Sequence, residues 1–467
     1  MITLPRSILR SFRAVARRSG LHKQRSPTLR ICADETGCRL QAASADVAIE
    51  FRQDGPFAAA DLRLSLAALD SLGGKGSDDV HLDAVEAGRV AVAWTDGGVP
   101  RRVVHDLVEP TATPFPVAPS TFTANDGSLW TALRDAAGAT DKSPSRYALN
   151  CLCLRGGSGR IDATDGQQIL SQAGFTFSWA DDILVPAVDV LGCKECEGKE
   201  SVQVGLQEDW IGFALGPWLV MVRVQKEGRF PKVDDLLTAP EAAKSQLTVS
   251  ENDAAFLADV LPRLPCDDAR YEPVTLDLNG RVLVRSRDTA DGRPTEVELT
   301  SSRFTGDSIQ FQSNRRFLDR ALKLGFRRLH VSGPDSPLLC IDQGRRYLWA
   351  VLDSKSTIPR HSDPIRVHST PTTSSAAPRL KKEQGMSDSQ PISTAPRLAT
   401  PVDPRTKAIR PKKAATPLEQ AVMLRDALRT VACQANALVR ALKHQKRQTR
   451  IVESTLASLK ELQKVAG

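Results

Sequence analysis

One pattern of secondary structure occurs three times along the first 355 residues, and it constrains the fold more than any other feature of the sequence. Each repeat has a short helix, a hairpin, a second helix and a further run of strands separated by tight turns. The final runs of strands begin at Val80, Val202 and Leu329, which are 122 and 127 residues apart. The nearly constant period and the shared element order favour three similar repeats over three unrelated α+β domains.

Three domains are predicted, at 1–118, 119–243 and 244–355, each with two helices and two groups of strands. First helices are predicted at 7–18, 128–137 and 254–261, and hairpins at 29–51, 149–173 and 274–299. Second helices are predicted to contain 64–72, 186–191 and 317–324. Pro186 would occupy a first helical turn, where its missing N–H costs nothing. Apolar and polar residues alternate in the strands, so the predicted fold class is α+β with antiparallel sheets.

The sequence changes character after Ser354. Residues 356–416 are rich in Pro, Ser, Thr, Lys and Arg and carry few large apolar side chains, which predicts a disordered basic linker. Residues 417–467 return to helix formers with a heptad pattern, which predicts a coiled-coil helix. The alternative is a single amphipathic helix that docks on the body. The predicted seam consists of Ala421, Leu424, Leu428, Val431, Ala435, Leu438, Leu442, Gln445, Thr449, Val452, Leu456 and Leu459.

The charge of the chain is divided unevenly between these two parts. Residues 356–467 contain 20 Lys and Arg but 8 Asp and Glu, whereas residues 1–355 contain 43 and 47. The body is therefore mildly acidic and the tail is basic. Any generic attraction to nucleic acid lies mainly in the tail.

Two predicted helices nevertheless carry basic stripes with one spacing. The first stripe consists of Arg6, Arg10, Arg13 and Arg17, in steps that place all four on one helical face. The same steps recur in the third domain, in Arg316, Arg320, Lys323 and Arg327. Two such stripes on a mildly acidic body favour contact with DNA phosphates without sequence readout. The alternative is that each stripe is an ordinary solvated face.

The sequence contains no catalytic or cofactor signature, so we expect a protein that is not an enzyme and needs no cofactor or metal. Cys193 and Cys196 form a CxxC, and a metal-dependent enzyme that uses them is the alternative. A zinc ribbon needs a second such pair, whereas Cys151 and Cys153 form a CxC within a predicted strand. No apolar run approaches the roughly 18 residues that span a bilayer. The Arg-rich N-terminus could indicate a mitochondrial transit peptide, but the repeat requires this segment as a helix.

Two segments of the second repeat carry a family resemblance. Ala163, Thr164, Asp165 and Gly166 lie between two predicted strands, and residues 227–233 read EGRFPKV. These resemble the ATDG turn in the middle domain of the bacterial DNA polymerase III beta sliding clamp and the link into its third domain. Either motif alone is weak, but both occur at the matching places in a threefold repeat. The resemblance covers the whole body, since the family's subunit also has three domains.

The resemblance implies a DNA-clamp fold and a non-catalytic processivity factor in the bacterial cytoplasm, at the nucleoid. Family subunits pair head to tail as homodimers into a ring that encircles double-stranded DNA, so that a bound DNA polymerase cannot diffuse away. The two basic stripes would then face the DNA. Arg146 and Tyr147 match family positions where a basic and an aromatic residue approach DNA. Packing within a turn is the alternative for this pair.

The resemblance also implies a hydrophobic cleft between the middle and third domains, which binds short peptide motifs of DNA polymerase and the clamp loader. Core packing is the alternative, above all for Leu149 and Ile169. Gln167 and Gln168 replace a usual His-Arg, Asp235 replaces a basic residue, and the final strand lacks the family's Pro, which bears on partner specificity. The implied wall consists of Leu149, Thr164, Gly166, Gln167, Gln168, Ile169, Pro231, Leu236, Leu348, Trp349, Ala350, Val351 and Leu352.

The tail is the largest departure from the family, whose chains usually end beside the cleft. It contains Gln420-Ala421-Val422-Met423-Leu424, which resembles the family's own clamp-binding peptide. We hypothesise that the tail occupies a cleft in cis or in trans. The alternative function is a clamp-derived scaffold or regulatory protein that no longer encircles DNA and assembles through its coiled coil.

Overall fold

The computed structural model describes residues 1–369, except residues 75, 87, 110–113, 143–146, 199, 238–242 and 290–291. The chain divides into two compact units, Met1–Ala377 and Pro378–Gly467, and every described residue belongs to the first. The predicted coiled coil and the predicted linker beyond Ser369 lie outside the described residues. Within the described part the fold is α+β, as predicted, with mostly antiparallel sheets and short helices.

The helices and strands follow the threefold repeat. The first repeat contains β1 (Ile2–Pro5), α1 (Arg6–Arg18), β2 (Thr28–Asp34), β3 (Gly37–Ala43), β4 (Val47–Asp54), β5 (Ala60–Ser65), β6 (Asp79–Glu86), β7 (Arg89–Asp96) and β8 (Val99–Asp106). The second contains β9 (Thr123–Asp126), α2 (Ser128–Ala137), β10 (Cys151–Arg155), β11 (Arg160–Thr164), β12 (Gln168–Ala173), β13 (Asp182–Pro186), β14 (Ser201–Gln207), β15 (Trp210–Leu215) and β16 (Trp218–Arg223).

The third repeat has the same order with one added strand on each side of its second helix. It contains β17 (Ser245–Thr248), α3 (Glu251–Val260), β18 (Pro273–Asn279), β19 (Arg281–Ser286), β20 (Thr295–Glu298), β21 (Arg303–Gly306), β22 (Ile309–Asn314), α4 (Arg315–Lys323), β23 (Arg328–Val331), β24 (Leu338–Asp342), β25 (Arg345–Trp349) and β26 (Ile365–His368).

The second helices of the first two repeats differ from the prediction. They are 3-10 helices, at Leu66–Leu72 in the first repeat and at Asp189–Gly192 and Lys194–Cys196 in the second. Pro186 ends strand β13 rather than beginning a helix, which corrects its predicted role. Its position is compatible with a strand because β13 lies at the edge of its sheet, where a missing backbone N–H leaves no ladder partner unsatisfied.

Two of the sheets run without interruption from one repeat into the next. One has the strand order β5-β2-β3-β4-β16-β15-β14-β9, and the other has the order β13-β10-β11-β12-β25-β24-β23-β17-β21. At each junction an edge strand of one repeat pairs antiparallel with an edge strand of the next, β4 with β16 and β12 with β25. The repeats are therefore joined by backbone hydrogen bonds, whose geometry any sequence of suitable side chains can satisfy.

Apolar packing crosses the first junction as well. Trp218 of β16 packs edge-on against Phe51 of β4, with ring centroids 4.9 Å apart, and stacks on Phe12 of α1 at 6.1 Å. Phe12 lies on the apolar face of α1 with Leu9 and Val15, and all three are fully buried. The apolar face of α1 thus packs against a sheet that the first two repeats share, and the opposite face carries the arginines.

The other two sheets belong to single repeats. They have the orders β1-β6-β7-β8 in the first repeat and β22-β18-β19-β20-β26 in the third. Strand β26 corrects the predicted start of the linker, because residues 356–369 continue the third repeat. Ile358 is buried, and β26 pairs in parallel with β20, from Thr295 opposite Ile365 to Glu298 opposite His368.

A buried ion-pair cluster joins this end of the chain to the third repeat. The side chain of Arg285 is fully buried, and its guanidinium donates to Asp277 at 2.5 Å and to Glu296 at 2.8 Å. It also donates to the carbonyl of Ile358 at 3.3 Å, and Asp277 accepts from Arg360 at 3.0 Å. Three strands and residues 358–360 therefore depend on one buried cation.

We predict that Arg285→Ala lowers the free energy of unfolding by about 3–5 kcal/mol, because it leaves Glu296 without its cation and the buried Asp277 with the exposed Arg360 alone. Arg281→Ala is the matched control, since Arg281 lies on the same strand and its side chain is 70% exposed. The control should cost less than about 1 kcal/mol. Urea unfolding of the full chain measures both, and equal losses would contradict the assigned role of Arg285.

Candidate nucleic-acid interface and peptide cleft

The basic stripe of α1 is held by carboxylate and carbonyl groups of the first repeat. The guanidinium of Arg13 donates to Asp70 at 2.6 Å, and that of Arg17 donates to the same carboxylate oxygen at 3.1 Å. Arg10 donates to the carbonyl of Gly74. Asp70 is half-exposed, so these are surface contacts of small net energy, and the cations stay accessible to an anion.

Arg6 does not belong to this exposed stripe, which corrects its predicted role in contacting DNA. Its side chain is 1% exposed and donates to the carbonyl of Leu72 at 3.2 Å and to Asp96 at 3.1 Å. Its guanidinium also lies 5.9 Å from the ring centroid of Trp94. Arg6 is the first residue of the helix, directly after β1, so its side chain enters the space between the helix and the neighbouring sheet.

Most basic residues at and near α4 pair with carboxylates, whereas Arg320 contacts backbone carbonyls. Arg316 and Arg315 both pair with Glu272, and the hydrogen bond from Arg316 is the main reason that the pKa of Glu272 lies below its ordinary value. Lys323 pairs with Asp319 at 2.6 Å. Arg327 lies beyond the end of α4 at Lys323, which corrects its predicted place on the helical face, and it pairs with Glu251 at 3.0 Å. These four cations are partly neutralised by adjacent carboxylates.

Arg320 connects α4 to the helix of the preceding repeat. Its guanidinium donates to the carbonyl of Gly138 at 2.6 Å and to the carbonyl of Asp135, both at the C-terminal end of α2. A cation at this end is favourable because the last carbonyls of a helix have no partner within it and carry partial negative charge. Helix α1 likewise contacts the 3-10 helices of the second repeat. Helices of successive repeats therefore touch one another.

A cavity of about 750 Å³ lies where α2 and α4 meet, and its lining includes five cations and three aspartates. Arg134 and Arg270 line it together with Arg316, Arg320 and Lys323. The sequence analysis missed Arg134 and Arg270. Arg134 is the one basic residue of α2, so it has no helical periodicity that could have identified it.

The two segments that carry the family resemblance meet in the structure. Tyr147 forms a bridge with Arg229, and the N–H of Ala148 donates to the carbonyl of Arg229 at 3.1 Å. A methyl group placed on Gly166 would lie 3.9 Å from Leu149, and Gly166 has φ +88, a conformation that favours glycine. The turn at 163–166 and the link at 227–233 thus flank residues 147–149. Tyr147 is 44% exposed, whereas Arg146 lies outside the described residues.

The second junction separates the predicted cleft residues into two faces of one sheet. Ile169 lies opposite Leu348 across the junction, and Leu348 lies opposite Leu339 on β24. Side chains alternate along a strand, so Gln168 and Trp349 point to the other face. There the indole of Trp349 donates to Ser313 at 3.0 Å. Gln168 and Trp349 are therefore core residues and do not line the cleft.

A small apolar cluster occupies the cleft face. Ile169, Leu339 and Leu348 form this cluster with Val233 and Leu237, and all five are at most 8% exposed. Val233 is the last residue of the link at 227–233, and Leu237 follows the link. Neither was among the predicted wall residues, because family positions were carried over singly. Val233 and Leu237 thus cover the apolar face that Ile169, Leu339 and Leu348 form.

Polar contacts hold this covering segment at both ends. The carboxylate of Asp234 pairs with Arg160 and, at 3.5 Å, with Arg155. The hydrogen bond from Arg160 is the largest cause that holds the pKa of Asp234 below its ordinary value. At the other end Arg346 donates to the carbonyl of Leu237 at 2.8 Å. Asp234 therefore stays ionised and paired at neutral pH, and acidification through its lowered pKa would weaken this end of the segment.

The rest of the predicted wall forms the rim of the cluster or lies in the core. Thr164 is buried, and its hydroxyl accepts from the N–H of Gly166 at 3.0 Å. Leu236 is 53% exposed at the edge of the cluster. The remaining wall residues that are exposed or half-exposed are Leu149, Gly166, Gln167, Pro231, Ala350, Val351 and Leu352.

The cysteine motifs form no metal site in the described part of the chain, which contains no group of three His, Cys, Asp or Glu residues placed to hold a metal ion. Cys193 and Cys196 are buried. The hydrogen bond with Cys196 and then burial raise the pKa of Cys193, which keeps it a neutral thiol. Among the described helices, none is long and apolar enough to cross a membrane.

We predict that Arg6 and Arg17 differ in what their loss affects. Arg6→Gln should lower the free energy of unfolding by about 1–3 kcal/mol, because it leaves the carbonyls of Leu72 and Gly73 without their buried donor. Arg17→Gln should change it by less than about 1 kcal/mol, because its side chain is 53% exposed. Chemical denaturation compares the two, and a negligible cost for Arg6→Gln would show that the buried contacts are not important for stability.

Comparison with solved structures identifies the fold of the body. No family model matches the chain, and no curated protein matches it in sequence. Solved structures do match: a sliding clamp (DNA polymerase III subunit beta) from Pseudomonas aeruginosa, at 17% identity and TM-score 0.62, covers 75% of this chain and 99% of its own.

Two further structures agree with this match. The DNA polymerase III beta chain of Streptococcus pneumoniae has 15% identity and TM-score 0.61, over 76% of this chain and 100% of its own. The beta sliding clamp of C. crescentus has 18% identity and TM-score 0.61, over 75% and 99%. The described body of this chain therefore has the fold of bacterial DNA polymerase III beta sliding clamps.

Proposed function

We propose that this protein is a divergent member of the beta sliding clamp family, a non-catalytic processivity factor that encircles double-stranded DNA and tethers a DNA polymerase. The observation that carries the proposal is the exposed part of the basic stripes on α1 and α4, two helices of a body whose fold matches sliding clamps. Cations on helices can bind phosphates without reading bases, which suits a protein that must slide. The expected location is the bacterial cytoplasm, at the nucleoid.

The topological test uses the full chain on nicked circular DNA with a purified clamp loader and ATP. A clamp stays on the closed circle through gel filtration in high salt and leaves when a restriction enzyme linearises the DNA. Ordinary electrostatic binding would be lost in high salt from both forms alike. Loss from the closed circle would contradict encirclement.

We predict that the α1 stripe can be weakened or strengthened by single charges. Arg13→Gln with Arg17→Gln should lower the slope of log affinity against log salt by up to about 2, because about 0.9 counterions are released per phosphate contact. Asp70→Asn should raise DNA affinity, because it frees both cations from their shared carboxylate. The measurement is fluorescence anisotropy of duplex DNA at several salt concentrations.

Asp61→Asn is the matched control for Asp70→Asn, because Asp61 also pairs with two arginines, Arg30 and Arg63, but lies on the sheet strand β5. It removes the same charge from the protein without changing the contacts of the arginines on α1. Equal gains in DNA affinity from both variants would indicate a general charge effect and would contradict a specific role for the stripe.

We also propose that the apolar cluster and its rim form the peptide site for DNA polymerase and the clamp loader. Apolar side chains beside a sheet junction suit anchor residues of a short peptide that packs along their rim. Leu236 is exposed at this rim and is the first residue that such a peptide would contact.

We predict that Leu236→Ser weakens binding of a peptide with residues 418–426 of this chain about three- to tenfold, because an apolar rim contact is lost. The fold should be unaffected, since Leu236 is largely exposed. Val117→Ser is the control, because Val117 is another exposed apolar side chain in a different repeat. Fluorescence polarisation measures the affinity, and an unchanged affinity for Leu236→Ser would contradict this location.

One observation favours the alternative of a scaffold that does not encircle DNA. Strand β26 pairs with β20, a strand whose counterparts in the other two repeats join one repeat to the next. If that pairing is permanent, the third repeat cannot be joined to another subunit through this edge.

A further inference from the structure

The threefold repeat leaves two strand edges without a counterpart junction. Each repeat contributes two groups of strands, one before and one after its second helix. At both junctions within the chain, the edge strand of the first group in one repeat pairs with the edge strand of the second group in the next repeat, β4 with β16 and β12 with β25. Two edge strands in these positions take no part in a junction within the chain. They are β20, which corresponds to β4 and β12, and β8, which corresponds to β16 and β25. A second copy of the chain could supply β8 to β20 and so form a third junction of the same kind.

Strand β8 presents an open edge in the described part of the chain. The N–H of Leu107 donates to the carbonyl of Gly88, so alternate residues of β8 point their backbone groups toward β7. The backbone N–H and C=O groups of Arg102, Val104 and Asp106 point away from β7, toward the open edge. Pro100 also falls on the outward side, where it has no N–H to leave unpaired.

Strand β20 has its edge covered by residues 363–369, which we call the strap. The N–H of Ile365 donates to the carbonyl of Pro294 at 2.9 Å, and that of Ser369 donates to the carbonyl of Glu298 at 3.0 Å. The hydroxyl of Ser369 accepts from the N–H of Thr300 at 2.9 Å. The strap thus uses the outward backbone groups of β20 that a partner strand would need.

The strap and β8 offer β20 similar side chains. Glu296 of β20 is held by the buried Arg285, whereas Glu298 lies 3.2 Å from His368 of the strap. The sequence of β26 is IRVH, and β8 contains RRVVH. Both strands therefore combine valine with arginine and histidine, side chains that can contact Glu298. The two strands are alternative partners for one edge.

We propose that the strap is an autoinhibitory strand: it occupies in cis the edge of β20 that β8 of a second copy takes in the assembled form. This inference rests on the proposed clamp function for its purpose, but not for its structural evidence. Release of the strap frees the edge, and head-to-tail association follows.

The attachment of the strap suits such an exchange. It is a short parallel strand, and parallel pairing is slightly less stable per residue than the antiparallel pairing of the internal junctions. Ile365 is 48% exposed. Upstream, Ile358 remains anchored through Thr275 and Arg285. The strap can therefore leave the edge while the third repeat stays folded.

The test compares full-chain variants by light scattering over a range of protein concentrations. Val367→Pro removes a backbone N–H that points toward β20, because Val367 lies between the two donors Ile365 and Ser369. We expect it to strengthen association at least about tenfold, since the apparent affinity is reduced by the fraction of molecules whose edge is open. Addition of Val104→Pro, which removes an outward N–H of β8, should abolish this gain.

Arg366→Pro is the matched control, because the N–H of Arg366 points to the open side of the strap, where proline is tolerated. It should associate like the wild type. An equal gain from Arg366→Pro, or no gain from Val367→Pro while the amide of Ser369 exchanges freely, would overturn the proposal. If Val367→Pro fails to fold, Ser369→Ala decides: it removes one anchor only, and a smaller gain is expected, whereas no gain would contradict the strap.

The DNA-retention assay distinguishes this inference from the proposed function. If Val367→Pro associates more strongly but is lost from closed circular DNA, the autoinhibitory role of the strap is supported and the clamp function is wrong. If wild type and Val367→Pro have equal mass and are equally retained on closed circles, the clamp function holds and the proposal that the strap inhibits association is wrong.

Discussion

The pairing of edge strands is the interaction on which the rest of this structure depends. Each repeat ends with backbone N–H and C=O groups along a strand edge, and an unpaired edge is a template for another strand. Within the chain two edges are satisfied by the next repeat, β4 by β16 and β12 by β25. Because these bonds belong to the backbone, the fold can persist at 12–18% identity to the sliding clamps it matches.

The two candidate sites follow from those junctions. Joining β12 to β25 places Ile169 beside Leu348 and creates the apolar face that Val233 and Leu237 cover. Placing successive repeats side by side also brings α4 against the end of α2, where Arg320 binds the last carbonyls of that helix. The proposed peptide cleft and the cavity between α2 and α4 are therefore products of repeat packing, and neither belongs to one repeat alone.

Local patterns in the sequence predicted the elements well and the roles of single residues less well. The bounds of α2 were predicted as observed, because a periodic apolar face has few alternative solutions. Arg6 was placed correctly on α1 but wrongly in solvent, because helical spacing does not tell which turn meets a neighbouring sheet. Trp349 was assigned to the wrong face of its strand. Strand β26 was missed because four residues in a proline-rich stretch carry no periodic signal, and only the unpaired edge of β20 reveals where they belong.

The exchange of strands at β20 is the central claim, and hydrogen exchange at single amides tests it most directly. The measurement follows the full-length protein as its concentration is raised through the association range. If the strands exchange, the amides of Arg102, Val104 and Asp106 become protected while those of Ile365 and Ser369 lose protection. If β8 stays unprotected in the associated protein, or if the strap amides remain protected throughout, association uses another surface and the account is contradicted.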